Sequence, residues 1–186
     1  MKQRFLELLR KVDREDMDKL ISWLEKSDFF TAPASTKFHG NYEGALVEHS
    51  LNVYELLNEK AKRFNLNVSE ENIIIAALLH DVCKVNFYKK EVKWRKDKND
   101  KWEQYEPYVI DDSMPLGHGE KSVMLLQAFI KLKREEIFMI RYHMGGFLGE
   151  EEKRNMYKAI DLVPSIVAIH TADFEASTFL EKTIEI

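Results

Sequence analysis

The stretch AALLHDVCKV, residues 76–85, sets His80 and Asp81 side by side at the end of one of the most apolar runs in the chain. Burying a neutral polar group without a partner costs roughly 2 kcal/mol or more, and an unpaired carboxylate costs more still, so a partner is implied. His49 falls in the stripe Leu46, His49, Val53, Leu56, and Asp173 in the stripe Ile166, Ile169, Asp173, Ala176. These are the steps of three or four that a helix turns onto one face. His80 closes a similar stripe from Ile73 through Ala76 or Ala77. Three helices therefore point coordinating side chains inward. His118 lies between Gly117 and Gly119, and His143 stands just before Met144, Gly145 and Gly146. Glycines at such places let backbone and other groups come close to a ligand.

Imidazoles and carboxylates that are costly to bury singly become ligands of a cation that needs them. Adjacent helix positions lie about 100° apart, so His80 and Asp81 share a site only if it lies off the helix end. There the two oxygens of Asp81 can bridge two ions. The set His49, His80, Asp81, His118, His143 and Asp173 is too large for one tetrahedral ion and fits two divalent ions that share Asp81. Nitrogen and oxygen donors favour Mn, Fe, Zn, Ni or Co, with Mg also compatible, over thiolate-seeking ions. Two ions roughly 3.5 to 4 Å apart lower the pKa of a bridging water and clamp the oxygens of a phosphoryl group. Hydroxide attack on phosphorus is the reaction such a set suits.

The elements that must position these groups are mainly helical. Phe5, Leu6, Leu8 and Leu9, then Met17, Leu20, Ile21 and Leu24, predict one or two amphipathic helices over residues 3–27. A Pro-, Gly- and Ser-rich loop, TAPASTKFHGNYEG, follows. ALVEHSLNVYELLNEKAKRF and SEENIIIAALLHDVCK read as buried helices, the second with Ser69 as an N-cap. Between Val85 and Ile110 the pattern turns aromatic and β-branched around the turn-prone DKND, which predicts a protruding β-hairpin. Helical patterning returns at EKSVMLLQAFIKL, EEIFMIRYH and YKAIDLVPSIVAIHTADFEASTFLEK, with Gly145-Gly146 ending the middle one and Pro164 in a first helical turn. The expected architecture is all-α over one domain, residues 1–186, with N-terminal helices in 1–30 and a β-hairpin insertion over 86–112.

Bulk composition narrows the function classes. With 45% hydrophobic residues, 7 glycines and 4 prolines, a chain of 186 residues builds one substantial core. Its 28 basic and 32 acidic residues are well mixed, so no global field holds long nucleic acid. Any such contact must be local. The single cysteine, Cys83, cannot form an internal disulfide, and a reducing cytoplasm is the expected compartment. The longest apolar stretch, residues 73–79, is far short of the roughly 20 residues of a membrane span, and the charged N-terminus does not read as a signal peptide. A soluble, unprocessed protein without a membrane partner is expected.

His49, HD at 80 and 81, and Asp173 in HTAD resemble the ordered signature of the HD-domain superfamily of metal-dependent phosphohydrolases. With His118 and His143 the chain is similar to the two-metal branch of that superfamily. HGNYEGALVEHS, LLHDVCK, GHGEKS, YHMGGF and IHTADFEA resemble segments of bacterial HD-domain hydrolases, including the HD part of a 3′-5′ exoribonuclease group. The similarity extends from about His39 to Ser177. It implies an HD-like helical bundle in which His49, His80, Asp81 and Asp173 hold one ion and Asp81, His118 and His143 the second. Many relatives carry two adjacent histidines where this chain has His143 and Met144, which argues against a third ion.

Around this set, Asp81 and Lys84 are the expected catalytic residues. Lys84 stands three residues beyond Asp81, where a cation could stabilise phosphoryl oxygens; its alternative reading is a lysine complementing a helix C-terminus. The resemblance favours the former. His39, Lys121 and Arg141 are candidate substrate contacts, and Cys83 reads as buried filler. Lys89, Lys90, Lys93, Arg95, Lys96, Lys98 and Lys101 with Trp94 and Trp102 give the hairpin the composition of a local single-stranded nucleic-acid surface. Glu91, Asp97, Asp100, Glu103 and Glu106 dilute that field, so the expectation is a solvated hairpin whose tryptophans pack on the body or on a second subunit. The leading expectation is hydrolysis of a small phosphorylated substrate such as a nucleotide, with a short oligonucleotide phosphodiester close behind. The rivals are a di-iron oxygenase, which the same ligand set resembles, and a noncatalytic nucleotide-binding module.

Overall fold

The computed structural model describes residues 1–145 and 149–184. Its helices are α1 (Lys2–Leu9), α2 (Met17–Lys26), α3 (Ala45–Arg63), α4 (Glu70–Leu79), α5 (His118–Gln127), α6 (Arg134–Tyr142), α7 (Glu150–Leu162) and α8 (Ser165–Glu175). The N-terminal apolar pattern thus resolves into two helices. The fold is helical, and its strands form only two small two-stranded sheets. No helix among the described residues is long and apolar enough to cross a membrane.

Helix α4 is the centre of the molecule because it is apolar all round: residues 72–79 are buried without exception. Ser69 caps it, its side chain accepting from Asn72 N–H. Helix α3 packs on α4 and α8, while α6 packs on α4, α5 and α8. The N-terminal helices close the other side, with Phe5, Leu9, Leu20 and Leu24 fully buried. Arg14, between them, reaches across to the buried Glu136 of α6 in a bidentate ion pair at 2.7 and 2.8 Å. Glu136 also accepts from Lys133 N–H at 2.7 Å, so it satisfies a free donor at the start of α6.

α4 ends abruptly. His80 is its C-cap and Asp81 adopts φ −105°, ψ 19° before a 3₁₀ turn, Val82–Lys84. The pair therefore lies off the helix end, as the spacing argument requires. The long C-terminal helical pattern breaks at Pro164 into α7 and α8, and α6 ends at Tyr142; Gly146 lies outside the described residues.

The hairpin consists of β1 (Tyr88–Lys90), β2 (Lys93–Lys96), β3 (Trp102–Tyr105) and β4 (Tyr108–Ile110), with β1 antiparallel to β4 and β2 to β3. The ladder breaks between the two pairs beside Pro107, which has no N–H to donate and only accepts from Glu91 N–H. Asp97 closes the tip by accepting from Asn99 and Lys101 N–H. Of the two expected placements of the tryptophans, on the body or on a second subunit, the first is corrected: Trp94 and Trp102 are 59% and 66% exposed. They sit on the outer strand pair, beyond the break, where the register Trp94↔Gln104 and Lys96↔Trp102 puts both rings on one face of the ribbon.

Candidate metal centre

Five of the six expected ligands converge from four helices. His49 comes from the second turn of α3, His80 and Asp81 from the end of α4, His143 from the C-cap of α6 and Asp173 from α8. His49 Nε2 lies 3.1 Å from Asp173 Oδ1, 3.1 Å from His80 Nε2 and 3.7 Å from Asp81 Oδ2. His80 Nε2 is 3.5 Å from the same Asp81 oxygen, whereas His143 Nε2 faces the other one, Oδ1, at 3.6 Å. The two oxygens of Asp81 thus look toward different imidazoles.

The tautomers follow from what the second nitrogen of each ring does. His80 Nδ1 donates to the Ala77 carbonyl at 2.9 Å, and His143 Nδ1 to the Ile140 carbonyl at 2.7 Å. Both carbonyls belong to the last turn of a helix, which leaves such groups without an intrahelical donor. Each ring therefore turns Nε2 inward, and at His143 Asp81 outweighs burial and raises the imidazole above its ordinary value. His49 Nδ1 faces Glu181 Oε1 at 2.7 Å, so its Nε2 also points in. Lone pairs and carboxylate oxygens facing one another repel unless a cation or proton lies among them. Among the described residues, His143 Nε2 is buried with no hydrogen-bond partner, an orphan that a divalent ion would satisfy.

Charge is balanced by these contacts. Burial drives the His80 imidazole down to about 4, against the pull of Asp81, so it is neutral. Burial also opposes charge on His49, but Asp173 and Glu181 outweigh it and raise His49 to about 10. The Asp173 carboxyl, which burial alone would raise, is held far below its ordinary range by His49. Asp81 is likewise kept ionised against burial, chiefly by Lys84, whose Nζ lies 2.5 Å from Oδ2. A proton on His49 Nε2 therefore holds the cluster together when no metal does, and a metal would displace it.

His118, the first residue of α5, sits at the exposed rim with Nδ1 3.4 Å from the Cys83 sulfur, and it groups with Asp81 on the Oδ1 side. Burial and Asp81 push the Cys83 thiol up to about 12, so it stays protonated. Of the centre, His49, Asp81, His118 and Asp173 line a cavity of about 630 Å³ whose walls also include Lys84, His39, Phe38, Phe87, Tyr88, Ile110 and Phe174. The structure does not bring Lys121 and Arg141 to the centre. Lys121 is buried against Asp112 at 2.6 Å with its ammonium over the Phe87 ring, and Arg141 pairs with Glu120 and Glu152. Both cations are engaged by carboxylates, and neither lines the cavity.

Two residues that sequence reasoning passed over belong here. Glu181 lies beyond α8, in a short extended tail that the sequence pattern had assigned to the last helix. His170 lines the cavity and donates from Nδ1 to the His143 carbonyl at 2.7 Å. It stands one helical turn before Asp173, a spacing that could have revealed it. Its ring packs on Gly145, where an added Cβ would lie 2.4 Å from the imidazole and φ is +53°.

The HD domain family profile matches residues 46–173, which begin in α3 just before His49 and end on Asp173. Over 65 residues the chain is 38% identical to the dihydroneopterin 2′,3′-cyclic phosphate phosphodiesterase of Methanocaldococcus jannaschii. That match covers 32% of this chain and 26% of the relative, so the chain spans about a quarter of the relative's length. No solved structure matches it significantly.

Proposed function

The chain belongs to the HD domain family, and from that premise we propose that it is a metal-dependent phosphohydrolase acting on the phosphate ester of a nucleotide or a similar small ring-bearing substrate. The observation that carries this reading is the buried, orphan Nε2 of His143 beside inward-facing imidazoles and carboxylates, of which His49, Asp81 and Asp173 also line an aromatic-walled cavity. In this reading His49, His80, Asp81 and Asp173 hold one divalent ion, and Asp81, His118 and His143 a second. Bound there, such ions supply an activated water and neutralise charge on the phosphoryl oxygens.

The chain's own residues do the rest. Lys84, 12% exposed and tied to Asp81, offers a fixed ammonium to a non-bridging phosphoryl oxygen. Its engagement with Asp81 also keeps that carboxylate ionised and oriented. Phe38, Phe87, Tyr88 and Phe174 line the outer cavity, where a planar ring can stack. His39 stands on the same wall, held by Glu181. A volume of about 630 Å³ suits a mononucleotide-sized ligand, within the usual range for small-molecule sites.

A second substrate form has its own support. Trp94, Trp102 and Lys96 share one exposed face of the hairpin, and the hairpin's base, at Phe87, Tyr88 and Ile110, is a wall of the cavity. A short single strand could stack on the ribbon while its terminal phosphodiester enters the centre.

The test is turnover of nucleoside mono-, di- and triphosphates, 2′,3′- and 3′,5′-cyclic nucleotides and short RNA, with metal content measured on the same sample. The similarity to a cyclic-phosphate phosphodiesterase puts the 2′,3′-cyclic diesters first. Release of phosphate or opening of a cyclic diester is expected. Oxygen uptake by the iron-loaded protein without phosphate chemistry would favour the oxygenase reading, and binding without turnover the noncatalytic one.

A further inference from the structure

Glu181 is buried, its side chain 1% exposed, and among the described residues no lysine or arginine pairs with it. Its oxygens are divided between two imidazoles. Oε1 faces His49 Nδ1 at 2.7 Å and Oε2 faces His39 Nδ1 at 2.5 Å. The amide of Asn52, one turn along α3, adds a long contact at 3.5 Å. A carboxylate buried with only histidines for company is costly to keep and must be fixed by the surrounding backbone.

That backbone is the C-terminal tail. Gly40 N–H donates to the Lys182 carbonyl at 2.8 Å. Asn41 and Ile184 exchange two bonds, Asn41 Nδ2 to the Ile184 carbonyl and Ile184 N–H to Asn41 Oδ1, each 2.7 Å. The tail is thereby laced to the loop that enters α3. Gly40 makes the close approach possible: its φ is +63°, and a Cβ there would come within 2.8 Å of Ala34. The lacing begins one residue after Glu181 and leaves its carboxylate directed at α3.

His80 and His143 take their Nδ1 acceptors from carbonyls of their own helix ends. His49 cannot, because it lies in the second turn of α3, where the backbone carbonyls are already engaged. Of the three converging imidazoles it alone needs an acceptor from another segment. We propose that Glu181 is a positioning residue of the metal centre. From the tail it accepts the Nδ1 hydrogen of His49 and so presents the Nε2 lone pair to the ion, while tying the cavity lip at His39 to the same ligand. This inference rests on the metal-centre reading above.

The test is binding of Co(II) alone by full-length protein, followed by calorimetry and by the visible absorption of the bound ion, for wild type, Glu181→Ala and Glu181→Gln. Wild type is expected to bind. Loss of an acceptor behind a metal-bound histidine typically costs 10- to 100-fold in affinity, so Glu181→Ala should bind roughly that much more weakly and with an altered spectrum. Glu181→Gln keeps an oxygen at the same position and should recover most of the affinity and the wild-type spectrum, which a tail that merely packs would not distinguish. Circular dichroism in chelator verifies that each variant is folded. Wild-type affinity and spectrum in Glu181→Ala overturn the proposal and leave the centre standing, as does equal weakening in Ala and Gln. If wild type itself binds no Co(II), Mn(II) or Zn(II), the metal centre falls and this inference with it.

Discussion

Replacing Asp81 with asparagine should separate the two duties of that carboxylate. In the metal-free protein it compensates Lys84, whose Nζ is 2.5 Å away and whose side chain is 12% exposed. Breaking a buried pair by removing one partner costs about 3 to 5 kcal/mol, and the residual exposure of Lys84 places this case near 3. For a chain of 186 residues, each kcal/mol moves the melting temperature by roughly 2 to 4 °C, so Asp81→Asn in chelator should melt about 6 to 12 °C below wild type. The second duty is measured by adding metal. At a free divalent ion concentration of about 100 Kd the wild type gains about 2.7 kcal/mol, or roughly 5 to 11 °C, whereas Asp81→Asn should gain almost nothing. The double variant Asp81→Asn, Lys84→Met removes both charges and should recover most of the stability in chelator without recovering the response to metal. The assay is a thermal melt of all three proteins with and without Mn(II), Co(II) or Zn(II). A single Asp81→Asn variant as stable as wild type in chelator, or one that keeps the metal shift, would refute the assignment of Asp81 as both counter-ion and shared ligand.

Three further outcomes follow from the geometry. His49, raised to about 10 by Asp173 and Glu181 against burial, carries a proton at neutral pH that a metal must displace; affinity should therefore rise with pH, by up to about tenfold per unit below pH 10, and calorimetry in buffers of different ionisation enthalpy should detect close to one proton released from this site. Arg14→Ala leaves the fully buried Glu136 without its bidentate partner and should lower stability by about 3 to 5 kcal/mol in urea melts, and a loss under 1 kcal/mol would show that the pair contributes little. Trp94→Ala with Trp102→Ala should change stability by no more than about 0.5 kcal/mol per site, since both rings are mostly solvated, yet weaken binding of a short single-stranded oligonucleotide; unchanged binding would remove the hairpin from the substrate path.

The convergence of the His/Asp cluster was legible because burial imposes a pattern: His49, His80 and Asp173 occupy slots in apolar stripes where a polar side chain is anomalous. The helix stop after Leu79 followed from the same reasoning, since His80 and Asp81 cannot share a site along a continuing helix. Legibility failed where the fold overrode the local pattern, as where the helical reading that ran through Lys182 stops short of Glu181. Glu181 sits in an extended tail whose placement depends on side-chain exchange between Asn41 and Ile184, contacts 143 residues apart in sequence. Lys121 and Arg141 failed for another reason. A lysine near a phosphate site and a lysine ion-paired to Asp112 look alike in sequence, and only the fold shows which anion is within reach.

The placement of the donors argues that the centre is a product of helix termination. A helix ends with carbonyls that lack intrahelical partners. A histidine at the C-cap can donate from Nδ1 to the carbonyl three residues back, and this both satisfies an orphan acceptor and fixes the ring with Nε2 directed away from the helix. His80 on Ala77 and His143 on Ile140 adopt this one local solution independently. Two helix ends packed directly on each other then suffice to bring the two Nε2 atoms together with no long-range orienting group. His49 lacks a free carbonyl and so depends on a distant carboxylate. Metal affinity should accordingly tolerate changes in the loops around His80 and His143, while remaining sensitive to the tail that holds Glu181.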